Sequence, residues 1–337
     1  MGGHFENILV IKLRYIGDVL LTTPLLRVLR VNFPQARITV LVNPGTETIL
    51  QNNSCVDQVS VLPRGKVFQQ MKFLMFIRAC GYDCVIDLSD GDRSACITAM
   101  SGAPMKVGFN YECRLRGKVY SWSLNGKYGT MHMLDYHAQA LIPLGIEPRV
   151  CAVELHVSDE ESRAAEAILA THGLKGKKWV MLHPAARYWF KAWPAERFAA
   201  LGDALVGEGF QVVLIGSGNE QRVADEVMQA ARQPFVSLVG KTSLRELAAL
   251  MKQCRLFVGN DAGPMHMAAA VDCPVLSLFG PSNPRVWGPH GKFCHSIYKG
   301  LDCRECFHPS CFRGEDSCMK LISVEEVLKK SLTLLCS

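Results

Sequence analysis

Short apolar runs alternate with segments of helical period along nearly the whole chain, and the alternation breaks once before restarting. In the first half the strand candidates are Ile8 to Leu13, Ile38 to Val42, Val59 to Leu62, Val85 to Leu88 and Val107 to Phe109, separated by helical patterns such as Val67 to Cys80. This pattern predicts an α/β fold, a parallel sheet with helices on both faces. Residues Tyr111 to Met131 are basic, aromatic and poorly periodic, which predicts a long functional surface loop. After a helix from Met133 to Leu144, the segment Val153 to Val157 reads as a linker. A helix near Ser158 to His172 then reopens the series. Strands follow at Trp179 to Leu182, Gln211 to Ile215, Phe235 to Val239, Leu256 to Val258 and Val275 to Phe279, with helices between them. A chain of 337 residues exceeds one ordinary core. Two doubly wound Rossmann-like domains are expected, residues 1–157 and 158–337, with a last helix from Val324 to Leu335 that must pack somewhere, a return across the first domain being one option. Ser243 with Glu246, and Ser323 with Glu326, have the spacing of capping boxes.

The first strand pattern begins directly after Glu6, with no basic region, apolar core and cleavage site ahead of it. No apolar stretch is long enough to span a bilayer, so the expectation is a cytoplasmic protein. A formal charge of +6 suits an anionic substrate or surface. The basic residues are dispersed and lack a nucleic-acid-binding motif, so no nucleic-acid partner is expected. Most of the cysteines lie singly in apolar runs and read as core packing. Cys303, Cys306, Cys311 and Cys318 instead fall close together in a loop with His308 and Pro309. That cluster is compatible with a structural zinc site, with disulfides or with plain thiols. The second pair lacks the tight spacing of a zinc ribbon, and a reducing cytosol disfavours disulfides, so thiols are preferred.

Polar residues collect where strands end: Asp18, Asp87, Asp90, Asp92 and Arg93 in the first half, and His183, Arg187, Lys191, Ser217, Glu220, Thr242, Asp261 and His266 in the second. Open parallel sheets bind ligands at those ends. The stretch Asn260-Asp261-Ala262-Gly263-Pro264 runs from a strand into a small-residue helix, so Ala262 and Gly263 offer backbone N–H groups to an anion. An ordinary strand-to-helix turn capped by Asp261 is the alternative. Gly216-Ser217-Gly218 lacks the third glycine of the dinucleotide fingerprint, because Gln221 stands in its place. Hydride transfer loses support, and the absence of a Walker loop weakens P-loop phosphoryl transfer equally.

Five segments together resemble the lipopolysaccharide core heptosyltransferases. They are Lys12 to Pro24; His183 to Arg187 with Phe190 to Pro194; Gly240 to Leu244; Asn260 to His266; and Phe279 to Ser282. The Arg14-Tyr15-Ile16-Gly17-Asp18 loop and the Arg187-x-x-Phe190-Lys191-x-Trp193 arrangement look most like the heptosyltransferase III branch. The resemblance implies a GT-B fold, two Rossmann-like domains facing across a cleft, with the acceptor on the first and a nucleotide sugar on the second. It also implies an ADP-L-glycero-D-manno-heptose donor, a metal-independent inverting transfer without a cofactor, and a Gram-negative source.

Carried over position by position, the resemblance makes Asp18 the base that takes the acceptor hydroxyl's proton and Lys191 the cation on the donor phosphates. Ala262 and Gly263 offer backbone donors, Asp261 accepts from sugar hydroxyls, and His266 reaches the phosphate or the sugar. Arg187 falls on the donor side; Glu220 and Thr242 fall where relatives contact ribose and adenine. Arg14 and Tyr15 replace the small hydroxyl residues common in the family. With Arg114 and Arg116 they suit a phosphorylated inner-core acceptor. An acyl-anchored acceptor implies an enzyme peripheral to the inner leaflet of the inner membrane, reached through basic and apolar residues of its first domain, and a monomer is expected. Another nucleotide-sugar donor, a nucleotide-sugar epimerase and a non-catalytic binding protein are the competing readings.

Overall fold

The computed structural model describes residues 4–303, 306 and 310–336; His308 and Pro309 of the cysteine loop lie outside the described residues. The chain divides into two compact units, one ending at His156 and the next beginning at Val157.

In the first unit six strands form one parallel sheet: β1 (Asn7–Lys12), β2 (Arg37–Val42), β3 (Gln58–Val61), β4 (Cys84–Asp87), β5 (Met105–Phe109) and β6 (Trp122–Leu124). Their spatial order is β3-β2-β1-β4-β5-β6. The second sheet is built from β7 (Trp179–His183), β8 (Gln211–Leu214), β9 (Val236–Ser237), β10 (Phe257–Asn260), β11 (Val275–Phe279) and β12 (Cys294–Tyr298). Its order is β12-β11-β10-β7-β8-β9. Counted from each unit's own first strand, both sheets have the 3-2-1-4-5-6 winding of a dinucleotide-binding fold. Winding reverses between β1 and β4 in one and between β7 and β10 in the other, which fixes where a ligand crevice opens in each.

Two strands depart from the sequence expectation. The loop expected over Tyr111 to Met131 contains the edge strand β6, and β12 was not anticipated. Both are sheet edges with largely exposed or half-exposed side chains, so neither has the apolar signature of a buried strand. After β1 come two helices, α1 (Ile16–Leu20) and α2 (Thr23–Asn32), with Thr22 as the N-cap and Pro24 in the first turn of α2.

Helices α3 (Val67–Ala79), α4 (Asp92–Ser101) and α5 (Met133–Ala138) complete the first unit. One layer of its core joins Leu9, Ile11, Leu41 and Val85 to Ile77 of α3 and Ile97 of α4. In the second unit, α6 (Asp159–Thr171), α7 (Ala195–Gly207), α8 (Gln221–Ala230), α9 (Leu244–Gln253), α10 (Gly263–Ala270), α11 (Pro284–Trp287) and α12 (Val324–Leu335) alternate with or follow the strands. In the last helix, Val327 and Leu334 are buried in one cluster with Phe198, Leu201 and Leu205 of α7. Trp193 seals that cluster, edge-on to Phe198 at 4.9 Å, and its indole N–H donates to Ile322 O at 2.9 Å. Ser243 and Glu246 form the expected reciprocal box. Ser323 accepts from Glu326 N, but the Glu326 carboxylate turns to Lys299 Nζ at 2.6 Å instead of closing the box.

Helices α6 and α9 are joined by a forked ion pair, Arg245 Nε to Glu161 Oε1 at 2.7 Å and Nη2 to Oε2 at 2.8 Å. Glu161 also closes a capping box with Ser158. The Arg245 hydrogen bonds hold the Glu161 carboxyl below its usual range, against a smaller opposing effect of burial. A depressed carboxyl pKa contributes stability above its unfolded value, about 4.3, and loses it as pH falls through the folded value. Arg245→Ala is expected to cost about 3 kcal/mol at neutral pH, read as a lower urea midpoint. That deficit should shrink on acidification below pH ~4. An unchanged midpoint at neutral pH contradicts this assignment.

Candidate active site

In the first unit the polar groups gather at the carboxyl ends of β1 and β4, on either side of the winding reversal. Ser89 ties the two ends together: its hydroxyl accepts from Leu13 N at 2.7 Å and donates to Ile11 O at 3.2 Å. Its own N–H donates to Asp87 Oδ1 at 2.9 Å. Asp87 is fully buried and accepts a second bond from Tyr120 Oη at 2.8 Å. Burial pushes its carboxyl pKa up, which the Ser94, Ser89 and Tyr120 donors only partly offset. Asp87 therefore belongs to the frame of the site.

Asp18 is the third residue of α1, where its Oδ2 accepts from the Tyr15 N–H at 3.4 Å. Its side chain is 19% exposed, and Oδ1 lies 3.6 Å from Lys12 Nζ. Lys12 was quoted in the sequence motif but given no role, and His137 was not singled out. The structure joins both to Asp18. Lys12 is buried at the end of β1, and its ammonium donates to Leu88 O at 2.9 Å and meets His137 Nε2 at 3.0 Å. His137 Nδ1 lies 3.0 Å from Leu21 O. A carbonyl only accepts, so Nδ1 carries the proton and Nε2 accepts from Lys12. Burial first, then the Lys12 charge, holds His137 well below the usual histidine pKa, in keeping with a neutral ring. Burial likewise lowers Lys12, while Asp18 is the leading opposing influence. An ammonium has three donors; two are used on Leu88 and His137, and Asp18 is the carboxylate facing this charge.

The aromatic residues of the 111–131 loop stand beside this group. Tyr111 stacks on Tyr128 at 5.6 Å, and Tyr128 meets Tyr136 edge-on at 5.7 Å. Burial and then the Asp18 charge push the Tyr128 pKa up to about 12. Arg14 donates Nε to Ser89 O at 3.2 Å and remains exposed, as does Tyr15. Arg114 pairs with Glu112 at 2.5 Å. Arg116 is almost buried and bonded to Asp90 at 2.6 Å, Glu112 at 3.2 Å and Asp92 at 3.3 Å. Asp90 makes its bond from a left-handed backbone with φ of 49°, a conformation aspartate tolerates better than most residues. The charge of Arg116 is thus spent locally on shaping the loop.

The second unit repeats the arrangement at the ends of β7 and β10. Fully buried Asn260 accepts from Trp193 N at 3.0 Å and donates to Pro184 O at 2.8 Å. It pins the loops after β7 to the end of β10. Lys191, in a single 3-10 turn at Trp189–Lys191, reaches Asp261 Oδ2 at 2.5 Å. Gly280 makes that turn possible, since a Cβ there would stand 2.9 Å from Phe190 O and from Met319 Sδ. Ala262 is the N-cap of α10, Gly263 its first residue, and His266 is buried in its first turns. Arg187 is exposed, with its guanidinium 5.5 Å from the Tyr188 ring centre.

Beyond β8, Glu220 Oε2 accepts from Ser217 N at 2.6 Å, and Oε1 faces His183 Nε2 at 3.7 Å. Burial pushes the Glu220 carboxyl up; His183 and the Ser217 donors more than reverse this and hold it at about 2. Gly240, with φ of 70°, passes so close to Gly218 that a Cβ would lie 3.1 Å from its Cα. That contact brings half-exposed Thr242 and the Ser217–Glu220 turn onto one rim. Cys303, Cys306, Cys311 and Cys318 carry free thiols and line a cavity of about 480 Å³ together with Phe190, Gly280 and Met319. Among the described residues, no group of three or more His, Cys, Asp or Glu is placed to hold a metal ion.

Comparison with known proteins agrees with this architecture. Lipopolysaccharide heptosyltransferase 3 of Escherichia coli K12 is 33% identical over 288 residues, covering 82% of this chain and 83% of the relative. The crystal structure of a family 9 glycosyl transferase from Veillonella parvula matches with a TM-score of 0.88 at 26% identity, covering 100% of this chain and 99% of that one. The structure of E. coli ADP-heptose lps heptosyltransferase II matches with a TM-score of 0.81 at 24% identity, covering 98% of each chain. The fold is GT-B. The model of glycosyltransferase family 9 (heptosyltransferase) matches residues 71–315, a span that includes strands of both sheets, and the chain belongs to that family of enzymes.

Proposed function

We propose that this enzyme transfers L-glycero-D-manno-heptose from ADP-heptose to a hydroxyl of the lipopolysaccharide inner core, with inversion at the anomeric carbon. The observation that carries the reading is the repetition of one device: each sheet delivers its ionisable side chains at the two strand ends flanking its winding reversal. In the first unit Asp18 takes the proton of the attacking hydroxyl, while buried Lys12, fixed by neutral His137, keeps the carboxylate oriented. Tyr111 and Tyr128 offer ring faces to an acceptor sugar, and exposed Arg14 and Tyr15, with Arg114, meet its anionic substituents. Arg116 shapes that loop.

In the second unit Lys191 and the N–H groups at Ala262 and Gly263 receive the diphosphate whose charge grows as the glycosidic C–O bond breaks. Asp261 and His266 bind sugar or phosphate, Arg187 adds charge on the donor side, and Glu220 and Thr242 border the nucleoside. Lys191 and the helix terminus supply the countercharge in this scheme, so it requires no metal. The relative named lipopolysaccharide heptosyltransferase 3 supports a lipopolysaccharide acceptor.

Incubation with ADP-heptose and a truncated core acceptor is expected to release ADP only when acceptor is present, and equally well in excess EDTA. Acceptor-independent conversion of the donor indicates an epimerase instead, and binding without turnover indicates a carrier. Loss of turnover in EDTA, restored by a divalent cation, removes the metal-independent step.

A further inference from the structure

Helix α3 is apolar on the wrong side. At 100° per residue its inward face is Phe73, Leu74 and Ile77, which pack on the first unit's core. The opposite face should then be polar. It carries instead Val67, Phe68, Met71, Met75 and Phe76, which are 78%, 79%, 51%, 69% and 48% exposed. From Val67 to Phe76 the helix presents them along about 14 Å. Such a contiguous apolar surface marks a docking site rather than scattered surface residues.

Charge selects the occupant. Between Gln58 and Tyr82 the chain has no Asp or Glu, while Arg64, Lys66, Lys72 and Arg78 are all present and exposed. Arg93 of α4 adjoins the helix, donating to Gln70 Oε1 at 3.1 Å. An apolar face of Phe and Met flanked by long basic side chains fits the boundary of an anionic bilayer. There the rings and thioethers enter the acyl region, and the lysines and arginines reach back to phosphate headgroups. No helix among the described residues is long and apolar enough to cross a membrane, so α3 lies in the interface plane.

We propose that the outer face of α3 is a monotopic docking surface for an anionic phospholipid membrane. The proposal rests on the lipopolysaccharide acceptor reading, since an acyl-anchored acceptor lies at such a surface. Docking concentrates the enzyme where that acceptor is.

The full chain is tested by co-sedimentation with vesicles of phosphatidylethanolamine and phosphatidylglycerol, against vesicles of phosphatidylcholine alone. Binding to the anionic vesicles, weakened by salt, is expected. Phe68→Ser/Met75→Ser should weaken it roughly tenfold, and Lys66→Gln/Lys72→Gln should weaken it roughly fivefold per charge while flattening the salt dependence. Both variants should transfer heptose to a deacylated, water-soluble acceptor at the wild-type rate, which also shows that they are folded. Failure of the wild type to use the soluble acceptor defeats the transferase reading alone. The docking proposal is overturned by wild-type protein that stays in the supernatant with anionic vesicles, or by variants that bind as well as wild type. It is equally overturned by a solution dimer that Phe68→Ser dissociates, which assigns the face to a second copy of the chain.

Discussion

Replacing Asp18 with asparagine is expected to lower kcat for heptosyl transfer about a thousandfold, the middle of the range for a positioned general base, while leaving the KM for the donor within a few-fold of wild type. Asparagine keeps the volume and an oxygen for the Tyr15 N–H, so α1 retains its start. What disappears is the proton acceptor, together with the charge facing buried Lys12. The second loss has its own signature. With residue 18 neutral, the leading influence opposing the burial that already lowers the Lys12 pKa is gone, and the variant should unfold at a lower temperature. Rates are therefore compared per mole of enzyme able to bind ADP, which separates the two effects. A kcat within tenfold of wild type on that basis would falsify the assignment of Asp18 as base.

The Lys12–His137 pair explains why a carboxylate in this position stays aligned. A lysine flanked by surface carboxylates swings between them, whereas Lys12 is clamped by Leu88 O and His137 Nε2, and its remaining donor has one direction left. His137 fulfils its part only while neutral, which its burial ensures.

Much of this frame can be read from the chain before folding. Buried strands such as Ile8 to Lys12 and Val275 to Phe279 must be apolar on both faces, so their runs stand out. The strand end marked by Asp261 could be read for the same reason, since a charge directly after such a run sits at the sheet's rim, whereas Asp18 and Lys191 stand farther along the loops that follow β1 and β7 and are legible only through the motifs around them. Edge strands escape, because Trp122–Leu124 and Cys294–Tyr298 are solvated on one or both faces and mix polar with apolar residues. The pairing of Lys12 with His137 also escapes, since it joins residues 125 positions apart and depends on how α5 lies against β1. A signal was nonetheless present. A lone lysine inside an apolar run is costly unless partnered, so the sequence called for an acceptor without naming it. For α3 the helical period could be recognised, but apolar residues on every side concealed which face the core would take. Arg116 teaches the reverse lesson: a basic residue in a functional-looking loop turned out to be surrounded by Asp90, Asp92 and Glu112.

Lys191→Ala is expected to reduce kcat/KM for ADP-heptose about a hundredfold to a thousandfold, the usual effect of deleting one charge stabiliser from a transition state. Part of that loss has a trivial source. Asp261 is nearly buried against Lys191, so removing the lysine leaves an uncompensated carboxylate, and a diphosphate approaching the start of α10 meets repulsion as well as a missing attraction. The double variant Lys191→Ala/Asp261→Ala separates these contributions, because neighbouring charges do not act additively. If Lys191 serves only to neutralise Asp261, removing both restores the donor KM and most of kcat. If it carries the leaving diphosphate, the double variant keeps a low kcat, since the cation facing the charge that develops during bond cleavage is still missing. Lys191→Arg should fall between, preserving the charge but changing its reach across a short contact. A double variant with wild-type kcat assigns Lys191 a purely structural place and leaves the N–H groups of α10 and Arg187 as the countercharge for the departing ADP.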